Sequence, residues 1–424
     1  MANLFNRSPW IIWTTFALVM GVAPKVFDSG LGLTVLSQMG IAIIACLSYN
    51  ILFGQGGMLS FGHAVYTGLG SFMAIHALNA VTAGDLPLPV ALVPLAGGLA
   101  GLGFAVLFGY VTTRKAGTTF AMITLGLGEL VFAMSLMVPE FFGGEGGVSG
   151  NRMVHDGWWG ITFGPQVQVY YLIAIYTFVC VAAMYAFTRT PLGGMLNAVR
   201  DNPERVEFVG YDTRRVRYLA FIISGFFAGV AGGLAALNFE IVTAEVVGAA
   251  RSGGYLLFTF LGGASFFFGP ILGAILMVLA LVLFSEYTQA WLLYLGLIFL
   301  LMVMFAPGGI AGLIMMNVRV AAFGRLRELT FWYLGLAVTG LLMLAGATSI
   351  VEMVYHLQLN QSEGPVFAYL GMNLDVGKSV HWLRAALLLA VGAALFGWIR
   401  GRFMYQWDRI QAAIEAEIRR RERA

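Results

Sequence analysis

The stretch Arg189–Arg217, RTPLGGMLNAVRDNPERVEFVGYDTRRVR, combines charge with punctuation. Thr190 is placed to cap a helix with Pro191 at its first position. Asn202 is placed to cap a second, with Pro203 first, Glu204 in the opening turn and Gly210 as the stop. A plain connection needs only a few residues. Two short helices in one polar connection instead make a rigid projection. Its side chains Arg200, Asp201, Asn202, Glu204 and Arg205 suit ion-paired docking on a soluble partner. The simpler alternative is a solvated basic loop that only sets topology.

Gly54–His63, GQGGMLSFGH, lies between two apolar segments. Gly54, Gly56 and Gly57, with Gln55 and Ser60, cannot make a stable lipid-facing helix. Irregular backbone at membrane depth is tolerated only where protein or a water-filled cavity satisfies it, and broken helices of this kind line transport paths. The alternative is a short turn at the membrane surface. Pro270, at the head of another apolar segment, joins this set as a candidate path or hinge residue. In Phe141–Gly150, FFGGEGGVSG, glycines surround Glu145. Gly143, Gly144, Glu145 and Gly146 form either a ligand-facing gate or, as the preferred reading, a turn.

The ionisable residues inside apolar segments are few: His63, His76, Glu129 and Glu286. Such residues are functional candidates by default. None pairs with a base at helical spacing, so an ion-coupled carrier is poorly supported, and Glu129 is expected to bond a neighbouring helix. Gly371–Ser379, GMNLDVGKS, has five residues before its Gly-Lys pair where a phosphate-binding loop needs four. It is rejected. Five scattered histidines and two isolated cysteines offer no metal, redox or nucleophilic motif, so the chain reads as not an enzyme.

The elements that must position these residues follow from composition. The chain has 424 residues, 59% hydrophobic and 11% charged, with a mean hydropathy of +0.83. A soluble domain carries about 25% charge. Long unbroken apolar runs exclude a membrane β-barrel. The expectation is an all-α polytopic membrane protein with about 10–12 transmembrane or re-entrant helices. The candidate segments are 10–24, 33–52, 62–80, 88–111, 118–139, 170–188, 218–238, 253–267, 270–284, 290–306, 330–350 and 383–399. Residues 253–284 read equally as two crossings or a re-entrant hairpin. If all segments cross from an inside N-terminus, 19 of the 24 basic residues fall inside. Lys25, Arg152, Arg251, Lys378 and Arg384 remain outside. This bias puts both termini in the cytoplasm.

Two parts are expected: a glycine-rich transmembrane domain (1–317) and an extension (318–424) with two further helices and an amphipathic tail. Gly97, Gly98, Gly101, Gly225, Gly229 and Gly233 have the spacing of close helix packing. In the tail, Phe403, Trp407, Ile410, Ile414 and Ile418 recur at helical spacing. The expected role of this stripe is anchoring on the membrane surface, the alternative being docking on a partner subunit.

Six ordered blocks, GQGGMLSFGHAVYTGLGSFMA (54–74), RKAGTTFAMITLGLGEL (114–130), FGGEGG (142–147), AVRDNPERVEFVGYDTRRVRYLAFIISGFFAGVAGGLAA (198–236), FLGGASFFFGPILGA (260–274) and APGGIAGL (306–313), resemble the branched-chain amino-acid ABC permeases, the LivM-type subunit in particular. The resemblance covers about residues 30–315. It implies an ABC importer permease fold in the bacterial inner membrane. It also implies a second homologous permease subunit, two cytoplasmic ATPases that hold the ATP and Mg, and a periplasmic solute-binding protein. By the same resemblance, Arg200, Asp201, Asn202, Pro203, Glu204, Arg205 and Gly210 belong to the loop that presses on the ATPase. FGGEGG would face the binding protein. Related permeases carry urea, amides or aromatic acids. An autonomous secondary transporter is the rival of another class. The residues after APGGIAGL extend beyond the usual family end.

Overall fold

The computed structural model describes residues 9–153, 162–359, 364–369 and 372–423. Arg7, one of the 19 basic residues expected inside, lies outside the described residues. Its helices are α1 (Pro9–Val26), α2 (Gly30–Asn50, continued by a wide π turn over Ile51–Gln55), α3 (Ala64–Ala83), α4 (Val93–Thr112), α5 (Gly117–Met137), α6 (Gln166–Arg189), α7 (Pro191–Asp201), α8 (Pro203–Phe208), α9 (Thr213–Phe239), α10 (Ala249–Gly262), α11 (Gly269–Leu279), α12 (Trp291–Phe305), α13 (Gly309–Ala322), α14 (Leu326–Leu359) and α15 (Ser379–Arg423). Two small antiparallel ribbons accompany them: β1 (Val148–Ser149) with β2 (Ile241–Val242), and β3 (Val366–Tyr369) with β4 (Met372–Asp375). Among the described residues nine helices are long and apolar enough to cross a membrane, or ten if α12 and α13, bent by 47°, count as one span. The protein is an all-α polytopic membrane protein.

Chain contacts divide it into two units, Met1–Val282 with Phe299–Gly312, and Leu283–Ile298 with Leu313–Ala424. The first is built on a glycine seam. A methyl group on Gly229 of α9 would stand 2.3 Å from the carbonyl oxygen of Gly97 in α4, and one on Gly101 would stand 2.3 Å from that of Gly225. A methyl on Gly70 of α3 would stand 2.6 Å from the Cα of Gly229. Lipid is as apolar as leucine, so helices in a membrane are held by close packing, and small residues supply it.

The second unit takes in Leu283–Ile298 as well as the chain after residue 313. The reason is visible in α14, where Glu352 accepts hydrogen bonds from Thr288 and Tyr294. At the far end of α14, Ile410 and Ile414 of α15 pack against Val320 and Leu329, flanked by Phe403, Trp407 and Ile418. The amphipathic stripe is therefore covered by the chain's own helices. It does not lie open as a membrane-surface anchor, because α15 runs on unbroken past its apolar part and α13 and α14 stand beside it. The β3–β4 ribbon closes the other end: Trp382 donates to the Val376 carbonyl, and Lys378 pairs with Asp375 at 2.9 Å. That lysine, from the rejected phosphate-loop look-alike, is engaged in a turn.

Candidate functional site

The site is built at three levels of the first unit. At one end stands the projecting elbow, α7 and α8. Thr190 Oγ1 accepts from the Gly193 amide at 3.2 Å and Asn202 Oδ1 from the Arg205 amide at 3.0 Å, so both predicted caps form. Gly210 adopts φ +93° and ends the elbow. Leu196, Val199 and Val206 are buried beneath it, while Asp201, Asn202, Pro203, Glu204 and Arg205 are exposed. Beside them Phe208 is 90% and Val209 70% exposed. Apolar side chains presented this openly, next to charges and outside the spans, suit coverage by another protein.

The elbow touches the break that follows α2. Arg200 donates to the Gly54 carbonyl and pairs with Asp201 at 2.9 Å. Its side chain lies where a methyl on Gly57 would be. Gly57 has φ +64°, a backbone that favours glycine. Gly54 itself has no room for a side chain, which would meet Asn50 and the Ala264 carbonyl. The π turn is the wide helical turn often found at functional positions. Gly54, Gln55, Gly56 and Gly57 thus come together with Arg200, two of the sequence-chosen sets in one place.

From here the chain runs inward without regular structure. Met58, Ser60, Gly62 and His63 are buried, so the later part of Gly54–His63 is enclosed by protein, while Gly57 is exposed beside the elbow. Gly62 lies on the Thr124 carbonyl, midway along α5. His63 shares a 2.9 Å hydrogen bond through Nε2 with Ser48 Oγ. The Ser48 hydroxyl already donates to the Ala45 carbonyl, so the imidazole donates and Nδ1 is left as a bare acceptor. Tyr255 meets the ring edge-on at 6.2 Å between centroids.

A second break faces the first. After α9 the chain turns back through β2 and a 3-10 turn before α10 begins. α10 has only 14 residues, about 21 Å of helix, short of the ~30 Å hydrocarbon core. The two breaks are fastened together: Ser252 Oγ accepts from the Ala64 amide at 2.9 Å, and Val247 stands against Gly68. Residues 253–284 are therefore a half-length helix followed by a longer one, α11 with its continuation to Tyr287. Pro270 sits at the start of α11, buried.

A cavity opens above α10. Gln38, Thr67, Ser71, Arg251 and Tyr255 give it a polar side; Ile41, Ala235, Val246, Met277 and Leu281 give it an apolar one. Arg251, one of the five basic residues that topology counting leaves outside, is in the first turn of α10 and lines this cavity. Hydropathy begins this helix at residue 253, after the charge. None of Gly54, Gln55, Gly56, Gly57, Glu129 or Pro270 lines it. Glu129 is on the exposed face of α5 and, among the described residues, has no hydrogen bond within the chain.

At the opposite end, Gly143, Gly144 and Gly147 have φ of +73°, +62° and +70°. They fold FGGEGG into a tight turn with Glu145 and Gly146 exposed. β1 follows and pairs with β2. Next to it is a residue the sequence did not single out. Arg152, 8% exposed, donates to the carbonyls of Leu237, Asn238 and Phe163 and to Gln166. Its own amide donates to Glu240 at 2.8 Å. It satisfies the open carbonyls at the end of α9. Only the isolated basic charge in a polar loop hinted at it.

A family described as branched-chain amino acid transport system / permease component matches residues 32–307. The chain belongs to this family. It is 28% identical over 312 residues to the high-affinity branched-chain amino acid transport system permease protein LivM of Escherichia coli, covering 68% of this chain and 72% of that one. The Salmonella typhimurium protein of the same name is equally similar, 28% over 311 residues. The fructose import permease protein FrcC of Rhizobium meliloti is 25% identical over 316 residues. No solved structure matches. As a permease component of a transport system, the chain works with other subunits. The family match includes the elbow, both breaks and the cavity, and stops before α13.

Proposed function

We propose that the chain is the transmembrane permease subunit of an ATP-driven importer for branched-chain or related amino acids. It is a multi-pass protein of the bacterial inner membrane, with the elbow end and both termini cytoplasmic. A homologous second permease subunit, two ATPase subunits carrying ATP and Mg, and a periplasmic solute-binding protein complete the assembly. The observation that carries this reading is the hydrogen bond from Arg200 on the elbow to Gly54 at the break. A push on an exposed, charged elbow is passed straight to the one part of α2 that is not α-helical. The chain itself hydrolyses nothing; ATP binding favours one permease conformation, and the elbow transmits that preference. The FGGEGG end faces the binding protein, and Pro270 and the glycines at Gly54–Gly57 act as hinge positions.

The test is the double exchange Glu204→Arg with Arg205→Glu in the reconstituted importer. The protein should reach the membrane at normal level while solute uptake collapses and the ATPase ceases to respond to loaded binding protein. ATPase activity that still responds fully would overturn the coupling role. Uphill uptake by the purified chain alone would overturn the importer reading.

A further inference from the structure

We propose that Arg251 holds the carboxylate of the transported solute, with Thr67 and Ser71 facing its ammonium group and the apolar wall taking its side chain. This rests on the importer reading above and names the solute's chemistry.

A guanidinium inside a bundle of membrane helices is costly and is kept for a function. Arg251 lines the cavity, and among the described residues no carboxylate lies within ion-pairing distance of it. Its place on α10 sharpens the need for an anion. The first turn of a helix carries free amides and a partial positive charge, which disfavours a cation there. The cap residue, Gly248, has no side chain to offset this. The helix end therefore adds to the charge of Arg251 instead of offsetting it, and an incoming anion relieves both. The position is fixed by neighbours: the adjacent Ser252 holds the Ala64 amide, and Thr259 donates to the Cys46 carbonyl at 3.3 Å.

The other residues of the polar side have the complementary character. Thr67 Oγ1 donates to the Ala64 carbonyl at 3.0 Å, and the single proton of Ser71 Oγ is shared between the Thr67 and Gly232 carbonyls, each at 2.9 Å. With their protons so directed, both hydroxyl oxygens offer lone pairs to the cavity. Lone pairs suit an ammonium group. Val246 and Met277 complete a wall for an apolar side chain. A sugar has neither head-group charge, so the site distinguishes an apolar amino acid from the solute named for the fructose permease.

The experiment uses the assembled importer in proteoliposomes with leucine as probe. Arg251→Gln should lower leucine uptake roughly ten- to hundredfold, the loss expected for a hydrogen bond to a charged group. Arg251→Lys should recover most of the uptake, since a point charge still binds a carboxylate. Uptake by Arg251→Gln at the unsubstituted rate would overturn the proposal and leave the importer reading standing. Should that variant fail to assemble, the unsubstituted full chain in nanodiscs decides. Modification of Arg251 by phenylglyoxal, read by peptide mass spectrometry, should be blocked by leucine and not by leucinamide, which lacks the carboxylate. Equal protection by both, or by neither, would overturn it. An unsubstituted importer with no ATP-dependent leucine uptake would overturn the reading on which the proposal rests.

Discussion

Arg200, at the end of the first elbow helix, donates a hydrogen bond to the carbonyl of Gly54, 146 positions earlier in the chain. One side chain thus ties the exposed elbow to the buried break. Arg200→Ala should cut uptake by about tenfold or more, the effect of losing a charged donor to a carbonyl. The amount of protein in the membrane should be unchanged, because Arg200 is itself exposed. Uptake at normal rate, measured in proteoliposomes, would show that the contact transmits nothing.

The glycine seam makes a sharp contrast possible. Gly229→Ala places a methyl 2.3 Å from the Gly97 oxygen, whereas Gly103, on the same helix as Gly97, has nothing within 4 Å. Overpacking costs about 1–3 kcal/mol and more where backbone must shift. Gly229→Ala should lower Tm and yield in detergent, while Gly103→Ala should leave both unaltered. Equal effects would mean that helix propensity, not packing, decides.

The ribbon of the second unit should respond to acid. Lys378, hydrogen-bonded to Asp375, holds that carboxyl below its ordinary value of 3.8, with help from the Gly377 amide. A depressed folded value means the stabilisation is complete above the ordinary value and disappears as pH falls through the folded one. The ribbon should therefore loosen only below about pH 4, and modestly, since the Lys378 side of the pair is exposed to water. Trp382, which donates to Val376 beside this turn, is the fluorescent reporter. Asp375→Asn should abolish the acid response; persistence of the response would place its origin elsewhere.

Local chemistry was readable in advance. The caps at Thr190 and Asn202 and the stop at Gly210 form as expected, because capping is decided within four residues. The irregularity of Gly54–His63 was readable too, since glycines there oppose a lipid-facing helix. What the breaks touch was not. The Ser252–Ala64 bond and the Arg200–Gly54 bond join residues far apart in sequence. Arg251 fell just before the expected segment 253–267 because hydropathy treats charge as a boundary, and hydropathy cannot see a short helix opening into a cavity. The stripe at Ile410 and Ile414 was recognised as apolar on one face, but amphipathicity does not say whether lipid, partner or self covers it. Arg152 gave almost no signal, because the carbonyls it satisfies come from a helix more than 80 residues away.

Where α3, α4 and α9 meet through bare backbone, no layer of side chains separates them that could re-pack or slide. Interlocked main chains of this kind shear poorly, so the three helices must travel as a single lever. In the importer proposed above, movement between outward and inward openings is then left to stretches outside this seam, those after Gln55 and after Phe239 among them.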